Sequence, residues 1–388
     1  MRLAVVETLP RGGLLHYAVQ LADALAERGH DVDVIGTRGN ELAEHRGAAR
    51  MRPILASSDL PPARPGFLPR HARRAAIGWR LAAGWSRILL EARRGRYDAV
   101  IVDNVLDVAP TAAGALLLTA LPGRPTIAHV CHNARPFNRW SGEDLFASSP
   151  LLTALLRRLY PRFDLVWLHG ERSLQDFEAS WPAARTELIP HGDERIFGDE
   201  PPAPATEPRI LFFGDWRRVK GLSVLMEAFD LLAGRRPDAR LTIAGKPSPE
   251  TDADAVREWV RGHGDRVTLD DRYVPNEEVP GIFASARVVA IPYLAGYQSG
   301  VTHLALTMAR PVVASDVGDL ASVVVDGRTG RLVPPGDPAA LASALEEVAF
   351  DPELAERLGT EGRRHLLDRA SWPKVAATVE EHLGAVAR

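Results

Sequence analysis

Apolar and polar residues follow two recurring patterns along this chain, short apolar runs and longer stretches with one apolar face. At the N-terminus, the apolar runs RLAVVE and DVDVIG enclose a glycine-containing loop and the stretch LLHYAVQLADALAERGH, which ends at Arg28-Gly29-His30. The apolar face of that stretch consists of Leu15, Val19, Leu21, Ala22 and Leu25. Strand, helix and strand in this order predict half of a doubly wound α/β domain, in which ligands bind beyond the carboxyl ends of the strands.

The pattern stops once and then restarts. The segment GDEPPAPATEP is polar, rich in proline and without periodicity, which predicts a linker at 199–208. After it, RILFFGDWRRVKGLSVLMEAFDLLAG again predicts strand, loop and helix, and further units of the same kind follow. A chain of 388 residues is long enough to bury two cores. We therefore predict an α/β protein with two doubly wound parallel-sheet domains, 1–198 and 209–371.

The segment Arg287 to Asp337 predicts strand, loop, helix, strand and loop. RVVAIPY has the continuous apolar character of a buried strand, and a helix at about 301–309 follows and ends before Pro311. Gln298-Ser299-Gly300 opens this helix, and backbone N–H groups at a helix start bind anions. Hydroxyl groups and a glycine at this point suit a phosphate or diphosphate. The alternative is a capped helix start that binds no ligand.

Beyond this helix start, PVVASDVGDL and VVVDGRTGRLVPPGDPAALASALEEV resemble the C-terminal signature of the retaining glycosyltransferases of family 4. The resemblance implies the GT-B fold, with two Rossmann-like domains facing across a cleft and a terminal helix at 372–388 that packs back on the first domain. The family signature has two glutamates separated by seven residues, and its helix ends in Gly-x-Pro-Val-Val-Ala. Aligned on Pro311-Val312-Val313-Ala314, the two glutamate positions hold Gly296 and Leu304, and some family members similarly carry Gln-Ser-Gly after the first position.

The loop FFGDWRRVKGL resembles the family's Gly-Arg-x-x-x-Lys-Gly loop, with Lys220-Gly221 matching and Asp215 in place of the arginine. Arg217 or Arg218 would then supply the missing charge beside a diphosphate leaving group, which gains negative charge in the transition state. The alternative is a solvated charged turn. Because both glutamates are replaced, we expect the residues around the helix start to hold the donor. The predicted donor-binding residues are Arg217, Lys220, Gln298, Ser299, Gly300, Val301 and Thr302.

In the first domain, the pair Gly12-Gly13 resembles the family's glycine loop that faces the cleft, although a tight turn would explain two glycines equally well. The predicted strand PTIAHVCHN ends in His132, at the point where the family places a functional histidine facing the donor sugar. We therefore predict a catalytic role for His132. His129 lies on the same face of that strand, and a structural role remains open for either histidine.

Three features of composition narrow the possible functions. A net charge of −3 argues against general nucleic-acid binding, and the single cysteine, Cys131, excludes an internal disulfide and predicts a buried thiol. Asp252-Ala253-Asp254 superficially resembles a metal motif, but it stands at a predicted helix start, so we expect neither a metal nor a cofactor. The N-terminus shows no signal-peptide pattern and no apolar run is long enough to cross a bilayer, which predicts a cytoplasmic protein.

Residues 44–96 are strongly basic, with twelve arginines against three acidic residues. The predicted helix RHARRAAIGWRLAAGWSRILLEARR lies within this segment and has Trp79 near the rim of its apolar face. The residues predicted to point inward are Ile77, Trp85, Ile88 and Leu89. This segment could contact anionic lipid or a phosphorylated acceptor at a membrane surface. Alternatively it is a solvated face in an arginine-rich protein, with 44 arginines and 3 lysines in all.

Together these features predict a glycosyltransferase that moves a hexose-type sugar from a nucleoside diphosphate to an acceptor hydroxyl with retention at the anomeric carbon. The family resemblance favours a UDP-sugar over a GDP-sugar as donor, and the acceptor would be a carbohydrate, a lipid-linked molecule or a natural product. Two alternatives remain, the first of them because both glutamates are replaced. The chain could be a catalytically silent nucleotide-binding partner of another transferase, or a sugar-nucleotide epimerase of the same shape.

Overall fold

The computed structural model describes residues 1–56, 70–105, 109–134 and 150–386, except the side chains of 70–77 and 109. The chain forms two compact units. The first contains the N-terminal residues as far as Gly192, together with the last helix from Trp372, and the second contains the residues from Asp193 to Ser371. Both units are doubly wound α/β domains, which confirms the predicted fold class.

The first unit is built on a seven-stranded parallel sheet with the strand order β3-β2-β1-β4-β5-β6-β7. Its strands are β1 (Arg2–Val6), β2 (Asp31–Thr37), β3 (Arg50–Leu55), β4 (Ala99–Val102), β5 (Thr126–Val130), β6 (Leu165–Leu168) and β7 (Thr186–Leu188). Its helices are α1 (Gly13–Glu27), α2 (Arg70–Arg93), α3 (Ala109–Thr119), α4 (Pro150–Leu159), α5 (Glu171–Ser180) and the terminal helix α13 (Trp372–Val386). The order reverses between β1 and β4, and a sheet of this kind binds ligands beyond the carboxyl ends of its strands near that point.

Packing in the first unit follows from the apolar runs in the sequence. The central strands are buried along almost their whole length because helices cover both faces of the sheet. The terminal helix α13 packs on α1, and the indole of Trp167 on β6 donates to Nδ1 of His382 over 3.1 Å. A Cβ on Gly192 would lie 2.3 Å from the ring of Trp372, so only glycine fits beside that indole.

The second unit contains a six-stranded parallel sheet with the order β10-β9-β8-β11-β12-β13. Its strands are β8 (Arg209–Phe213), β9 (Arg240–Ala244), β10 (Val267–Asp270), β11 (Val288–Ile291), β12 (Val312–Ser315) and β13 (Gly330–Val333). Its helices are α6 (Leu222–Arg235), α7 (Ala253–His263), α8 (Val279–Ser285), α9 (Gly300–Thr307), α10 (Leu320–Val323), α11 (Pro338–Ala349) and α12 (Pro352–Ala370). Here the order reverses between β8 and β11, so the loops after these two strands are adjacent.

The proline-rich segment 199–208 is attached to the second unit through its backbone. Arg310, which is 3% exposed, donates to the carbonyl of Ala203 over 2.6 Å. Arg287 donates to the carbonyls of Ala205 and Thr206, and Arg363 donates to that of Asp199. The sequence predicted a linker here, whereas the contacts place the boundary of the units between Gly192 and Asp193. The reason is that these guanidinium groups bind backbone carbonyls, which leave no trace in a residue pattern.

Helix α9 ends two residues earlier than the sequence predicted. Ala309 follows it with φ of 51°, and it is the one residue other than glycine with positive φ in the described part of the chain. The N–H of Arg310 donates back to the carbonyl of Ala305 over 2.8 Å, as in a Schellman motif. Ala309 therefore holds the left-handed position that the family pattern gives to glycine, at a cost of about 1 kcal/mol.

The basic segment 44–96 divides into bound and exposed arginines. Arg52 binds Glu91 through both terminal nitrogens, at 2.6 and 2.8 Å, and also approaches Asp33. Trp85 and Ile88 on α2 are buried, as predicted. Leu89 is half-buried, and Ile77 lies outside the described side chains, as do residues 57–69. Trp79 is 78% exposed and so projects further into solvent than the predicted position at the rim.

Candidate functional site

Two loops at the strand-order reversal of the second unit approach each other closely. Gly221, at the end of the loop after β8, has φ of 69°, and a Cβ there would lie 1.8 Å from the carbonyl oxygen of Pro292 after β11. Gly214, at the other end of that loop, has φ of 120° and a Cβ there would lie 3.9 Å from Val301. These glycines allow the basic loop 214–221 to lie directly against the start of α9.

Lys220 joins these loops through an aromatic ring that sequence reasoning missed. Its Nζ lies 3.8 Å from the centre of the Tyr293 ring, and the Tyr293 hydroxyl lies 2.9 Å from Oγ of Ser299. Burial lowers the pKa of Lys220, and the neighbouring Tyr293 partly offsets this effect. The Tyr293 ring holds the ammonium group of Lys220 in place. Because the hydroxyl of the same ring contacts Ser299, the lysine lies near the start of α9.

The start of α9 has a side-chain cap, and a buried carboxylate lies close to it. Oγ of Ser299 accepts from the N–H of Thr302 over 3.3 Å, which confirms that Ser299 is the N-cap. Glu194, which sequence reasoning also missed, is buried, and its Oε1 lies 3.4 Å from the position of a Cβ on Gly300. A carboxylate near a helix start is favoured by the helix dipole.

Several polar atoms of the predicted donor-binding residues are buried without a hydrogen-bond partner among the described residues. They are Nε of Arg217, Oγ1 of Thr302, and both amide atoms of Gln298. Buried polar groups in proteins nearly always have a partner, and each exception requires an explanation such as a ligand or water. The structure therefore brings together the predicted residues at 217, 220 and 298–302, and it leaves their polar atoms available.

The two positions at which the family carries glutamates have different environments. Leu304 is 4% exposed and belongs to the apolar core of the second unit. Gly296 has φ of 141°, and its carbonyl oxygen packs against Gly318, where a Cβ would lie 1.9 Å away. The neighbouring residue Tyr297 accepts from the N–H of Asp319 over 2.9 Å. Neither position offers a carboxylate to a ligand, and Leu304 is enclosed by other apolar side chains.

In the first unit, His132 lies at the end of β5 among other buried polar residues. Its Nε2 is 3.0 Å from Oδ1 of Asp103 after β4, and its Nδ1 is 3.2 Å from Nε2 of His169 after β6. The rings of Tyr17 and His191 pack against this group, with the centres of Tyr17 and His132 4.8 Å apart. Both nitrogens of His132 thus have protein partners, and a sugar hydroxyl would have to replace one of them.

Burial controls the protonation of this group. It raises the pKa of Asp103 to about 7, although a hydrogen bond from Glu7 acts in the opposite direction. Burial also lowers the pKa of His132 and of His191 to about 3. At neutral pH these histidines are therefore uncharged, and the proton between Asp103 and His132 belongs to the carboxyl group near and below pH 7.

His129 and Cys131, the other two titratable residues of this segment, are buried and have structural roles. Nδ1 of His129 donates to the carbonyl of Val102 over 2.7 Å, and its ring stacks on Phe163. Burial lowers the pKa of His129 to about 3. Cys131 is buried, as predicted, and burial raises the pKa of its thiol to about 12. Of the two histidines considered from the sequence, His132 is the one connected to other titratable groups at the strand ends.

The glycine pair begins α1 next to a carboxylate. Gly12 is the N-cap with φ of 91°, and its N–H donates to Glu41 over 2.7 Å. The same carboxyl oxygen lies 2.7 Å from Nε2 of His16, and Gly13 is the first residue of the helix. Positive φ explains the glycine at position 12, and no atom of the described residues lies within 4 Å of a Cβ placed at either glycine.

The remaining acidic motif caps a helix. Asp252 is the N-cap of α7 and accepts from the N–H of Ala255 over 3.0 Å, as expected for an acidic residue at a helix start. Within the described ranges, no three potential metal-binding side chains come together. No helix in the described part of the chain is long and apolar enough to span a membrane.

Comparisons with known proteins agree with this architecture. Residues 11–192 match the family model described as Glycosyltransferase Family 4, and residues 207–351 match the model described as Glycosyl transferases group 1. A D-inositol 3-phosphate glycosyltransferase from Arthrobacter sp. (strain FB24) is 36% identical over 187 residues, 47% of this chain and 44% of that protein. A relative of the same name from Paenarthrobacter aurescens (strain TC1) is 28% identical over 97% of this chain and 93% of its own length.

Among solved structures, sucrose-phosphate synthase from Thermosynechococcus elongatus superimposes with a TM-score of 0.75 at 21% identity, covering 100% of this chain and 99% of that one. At this identity the likeness shows the fold alone. Two doubly wound domains in this order define the GT-B class of protein. The first unit is similar to the glycosyltransferases of family 4, and the second unit is similar to the group 1 glycosyltransferases.

Proposed function

We propose that this glycosyltransferase moves a hexose-type sugar from a nucleoside diphosphate to an acceptor hydroxyl, with retention at the anomeric carbon and without a metal. The observation that carries the proposal is the convergence of the 214–221 loop with the start of α9. Both loops present polar atoms that have no protein partner within the described residues. A nucleoside diphosphate provides the phosphate and hydroxyl groups that such atoms would bind.

In this proposal the diphosphate lies between the basic loop and the helix start. Arg217 and Lys220 provide positive charge, and the backbone N–H groups of Gly300 and Val301 provide hydrogen bonds and the positive end of the helix dipole. The leaving diphosphate gains negative charge as the glycosidic bond breaks. Fixed cations and amides therefore stabilise the transition state more than the ground state, which can replace the usual contribution of a metal ion.

Gln298, Ser299 and Thr302 replace the two family glutamates in donor recognition. An amide and two hydroxyl groups can donate and accept, but they bind ribose hydroxyls less strongly than a carboxylate does. We propose UDP rather than GDP as the nucleotide, on the family resemblance stated above. His132 acts at the reacting face of the sugar, where a sugar hydroxyl takes the place of Asp103 at Nε2, and the glycine pair at Gly12 and Gly13 leaves room for the acceptor.

The acceptor in this proposal is a hydroxyl of a sugar or polyol. Its support is the name of the two relatives, both D-inositol 3-phosphate glycosyltransferases. Retention follows from attack on the same face from which the diphosphate leaves, with the leaving phosphate taking the acceptor proton.

The first experiment is a screen of UDP- and GDP-sugars with mass-spectrometric detection, first for hydrolysis and then with sugar and polyol acceptors. Nuclear magnetic resonance of the product would give the anomeric configuration, and an inverted product would contradict the proposal. Nucleotide binding by calorimetry without turnover on any acceptor would favour the silent partner. Conversion of the donor to an isomer without acceptor would favour the epimerase.

We also propose that one face of the first unit contacts anionic lipid. The helices α2, α3 and α4 pack side by side and carry Trp79, Leu117 and Leu151, which are 78%, 58% and 67% exposed. Their described arginines at 80, 87, 93, 157 and 158 are exposed, and the one acidic residue in their sequences, Glu91, is bound by Arg52. Exposed tryptophan and leucine beside arginine are typical of surfaces that bind anionic membranes.

Sedimentation with vesicles tests this contact. The protein should bind phosphatidylglycerol vesicles more tightly than phosphatidylcholine vesicles, and Trp79→Ala should weaken binding up to about thirtyfold, since a buried aromatic ring contributes about 2 kcal/mol. Leu231→Ala is the matched control, because Leu231 is a 45% exposed apolar residue of the second unit. Equal binding of the protein to both kinds of vesicle would instead indicate a solvated basic face.

A further inference from the structure

Five adjacent strands of the first sheet each end next to one member of a continuous hydrogen-bonded series. Glu7 follows β1, Asp103 follows β4, His132 and His169 follow β5 and β6, and Ile189 follows β7. Asp103 is hydrogen-bonded to Glu7 and lies 3.0 Å from His132, which lies 3.2 Å from His169. Nδ1 of His169 lies 3.2 Å from the carbonyl oxygen of Ile189. We call this series the strand-end chain.

The carbonyl oxygen at one end fixes the direction of the bonds as far as Asp103. It can only accept, so Nδ1 of His169 carries a hydrogen, and Nε2 of the neutral ring must accept from Nδ1 of His132. Nε2 of a neutral His132 then has a lone pair toward Asp103, which must donate.

The surroundings of the strand-end chain favour this neutral arrangement. Glu7 and Asp103 are fully buried, and an unpaired charge at such a site would be costly. Among the described residues, the titratable groups next to the chain include Tyr17 from α1, His129 and Cys131 from the β5 segment, and His191 after β7. Burial raises the pKa of Tyr17 and of Cys131 and lowers the pKa of both histidines, so that all four are uncharged at neutral pH.

We propose that His169 is a positioning residue that holds the ring of His132 in one orientation with its hydrogen on Nδ1. Its importance for catalysis rests on the proposed function, in which His132 contacts the sugar. The arrangement of the hydrogens rests only on the strand-end chain itself. His169 stands in the segment LVWLHG, directly after a predicted strand, and acts on the reaction through His132.

The strand-end chain also makes the tautomer of His132 depend on pH. When Asp103 loses its proton, its carboxylate faces the lone pair of Nε2, and the ring regains a bond only by moving its hydrogen from Nδ1 to Nε2. Nδ1 of His132 and Nε2 of His169 then face each other with no hydrogen between them, because the hydrogen of His169 remains on Nδ1 and is donated to the carbonyl of Ile189. His132 thus changes from a donor to an acceptor at Nδ1 as pH rises through the pKa of Asp103, about 7.

Nitrogen-15 resonance of labelled histidines in the whole protein tests the proposal without any ligand. Wild-type protein below pH 7 should show His132 with hydrogen on Nδ1, changing to Nε2 as pH rises. In His169→Phe the tautomer change of His132 no longer breaks a hydrogen bond to residue 169. The pH at the midpoint of that change should therefore fall by about one unit, the equivalent of one ordinary hydrogen bond. His169→Gln can accept from Nδ1–H of His132 before the change and donate to Nδ1 after it, so its midpoint should lie near that of His169→Phe while the ring stays bound.

The control is His129→Phe, which removes an equally buried histidine of the same strand that lies outside the strand-end chain and should leave the midpoint unchanged. Hydrogen on Nε2 of His132 below pH 7 in the wild type would overturn the proposal, even if His169→Phe does not fold. An unshifted midpoint in a folded His169→Phe would overturn it as well.

A second measurement separates this inference from the proposed function. With the donor and acceptor found by the screen, His169→Phe should lower kcat about tenfold or more and leave the donor KM within twofold, as expected for a misplaced catalytic group. His169→Gln should recover part of kcat. The expected resonance changes in a protein that turns over no sugar nucleotide would support the positioning of His132 and contradict the proposed function.

Discussion

Two sets of polar residues, one in each unit, differ in whether their members bind one another. In the first unit, Asp103, His132 and His169 bind one another in the strand-end chain. In the second unit, Gln298 and Thr302 have buried polar atoms with no partner among the described residues. A satisfied network holds one arrangement before any ligand arrives, whereas unsatisfied groups are costly until a ligand binds. The first unit is therefore suited to orienting groups, and the second to gaining free energy from binding.

The largest expected effect concerns the basic loop. Lys220→Ala should raise the transition-state free energy by about 2–4 kcal/mol, because it removes a fixed cation beside the leaving diphosphate. Arg218→Ala is the matched control, since Arg218 is exposed and lies two residues away in the same loop. The measurement is kcat/KM with the donor from the screen. A folded Lys220→Ala with activity within a fewfold of wild type would exclude the diphosphate role of this lysine.

The second prediction concerns the acid in the strand-end chain. The pKa of Asp103 in the folded protein, about 7, lies above the ordinary aspartate pKa of 3.8, so the folded state holds more protons between these pH values. This group therefore stabilises the fold below pH 4, and its contribution is lost as pH rises to 7, by up to about 1.4 kcal/mol per pH unit. In Asp103→Asn the side-chain amide donates to His132 at every pH, so this variant should not lose stability between pH 4 and 7 in this way.

Urea unfolding at several pH values tests this difference. The free energy of unfolding of Asp103→Asn minus that of wild type should increase between about pH 4 and 7 and then become constant. The same subtraction removes the opposite trend of His129, His132 and His191, whose lowered pKa values make stability increase with pH from 3 to 6.5. A difference that does not change with pH would mean that Asp103 is already ionised in the folded protein.

The third prediction sharpens the contrast between satisfied and unsatisfied groups. Gln298→Leu should increase the free energy of unfolding of the ligand-free protein by about 1 kcal/mol, because it removes two buried polar atoms without partners. The same change should weaken binding of UDP by a similar amount. Calorimetry with UDP and its 2′-deoxy analogue would separate phosphate from ribose contacts. A large loss for the deoxy compound, with Gln298 and Thr302 variants silent, would place the ribose-binding group elsewhere.

The smallest effect concerns the end of α9. Ala309→Gly should stabilise the protein by about 0.5–1 kcal/mol, because glycine adopts positive φ without strain. Ala305→Gly within the same helix should instead destabilise by about 1 kcal/mol or more, and it is the control for the entropy that glycine adds to the unfolded chain. Thermal unfolding in the absence of nucleotide is sufficient. Equal destabilisation by both changes would contradict the strained helix end.

The fold was predictable because buried parallel strands appear as continuous apolar runs, as in RVVAIPY and RLAVVE. The glycines at 214 and 221 and the helix start at 299 were also visible in sequence, since glycine and N-cap residues have local causes. The partners of His132 were not predicted. Asp103 and His169 follow β4 and β6, which lie on either side of β5 in the sheet, and the sequence order does not reveal that Glu7 after β1 lies next to Asp103, because it does not show that β1 pairs with β4.

One signal could have found part of this site. Asp103, His132, His169 and His191 each follow an apolar run directly, and the carboxyl ends of parallel strands meet at one edge of the sheet. Tyr293 beneath Lys220 had no such signal, because its role depends on the path of the loop after β11. Leu304 is a different case. Alignment with the family signature places it at a glutamate position, but the alignment does not show that its side chain is buried in the core.

The attachment of segment 199–206 to the second unit matters for any experiment that divides this protein into fragments. A fragment starting at Arg209, as the proline-rich composition would suggest, leaves the buried guanidinium of Arg310 without its acceptor at Ala203. The carbonyls of Phe283 and Ala284 still accept from Arg310, so the fragment loses a hydrogen bond to a charged group, about 1.5–3 kcal/mol. A fragment beginning at Asp193 keeps these acceptors. The fragment that begins at Arg209 should therefore be less stable and more rapidly degraded than the longer one. The cause would be the missing segment and not the lack of a core in the second unit.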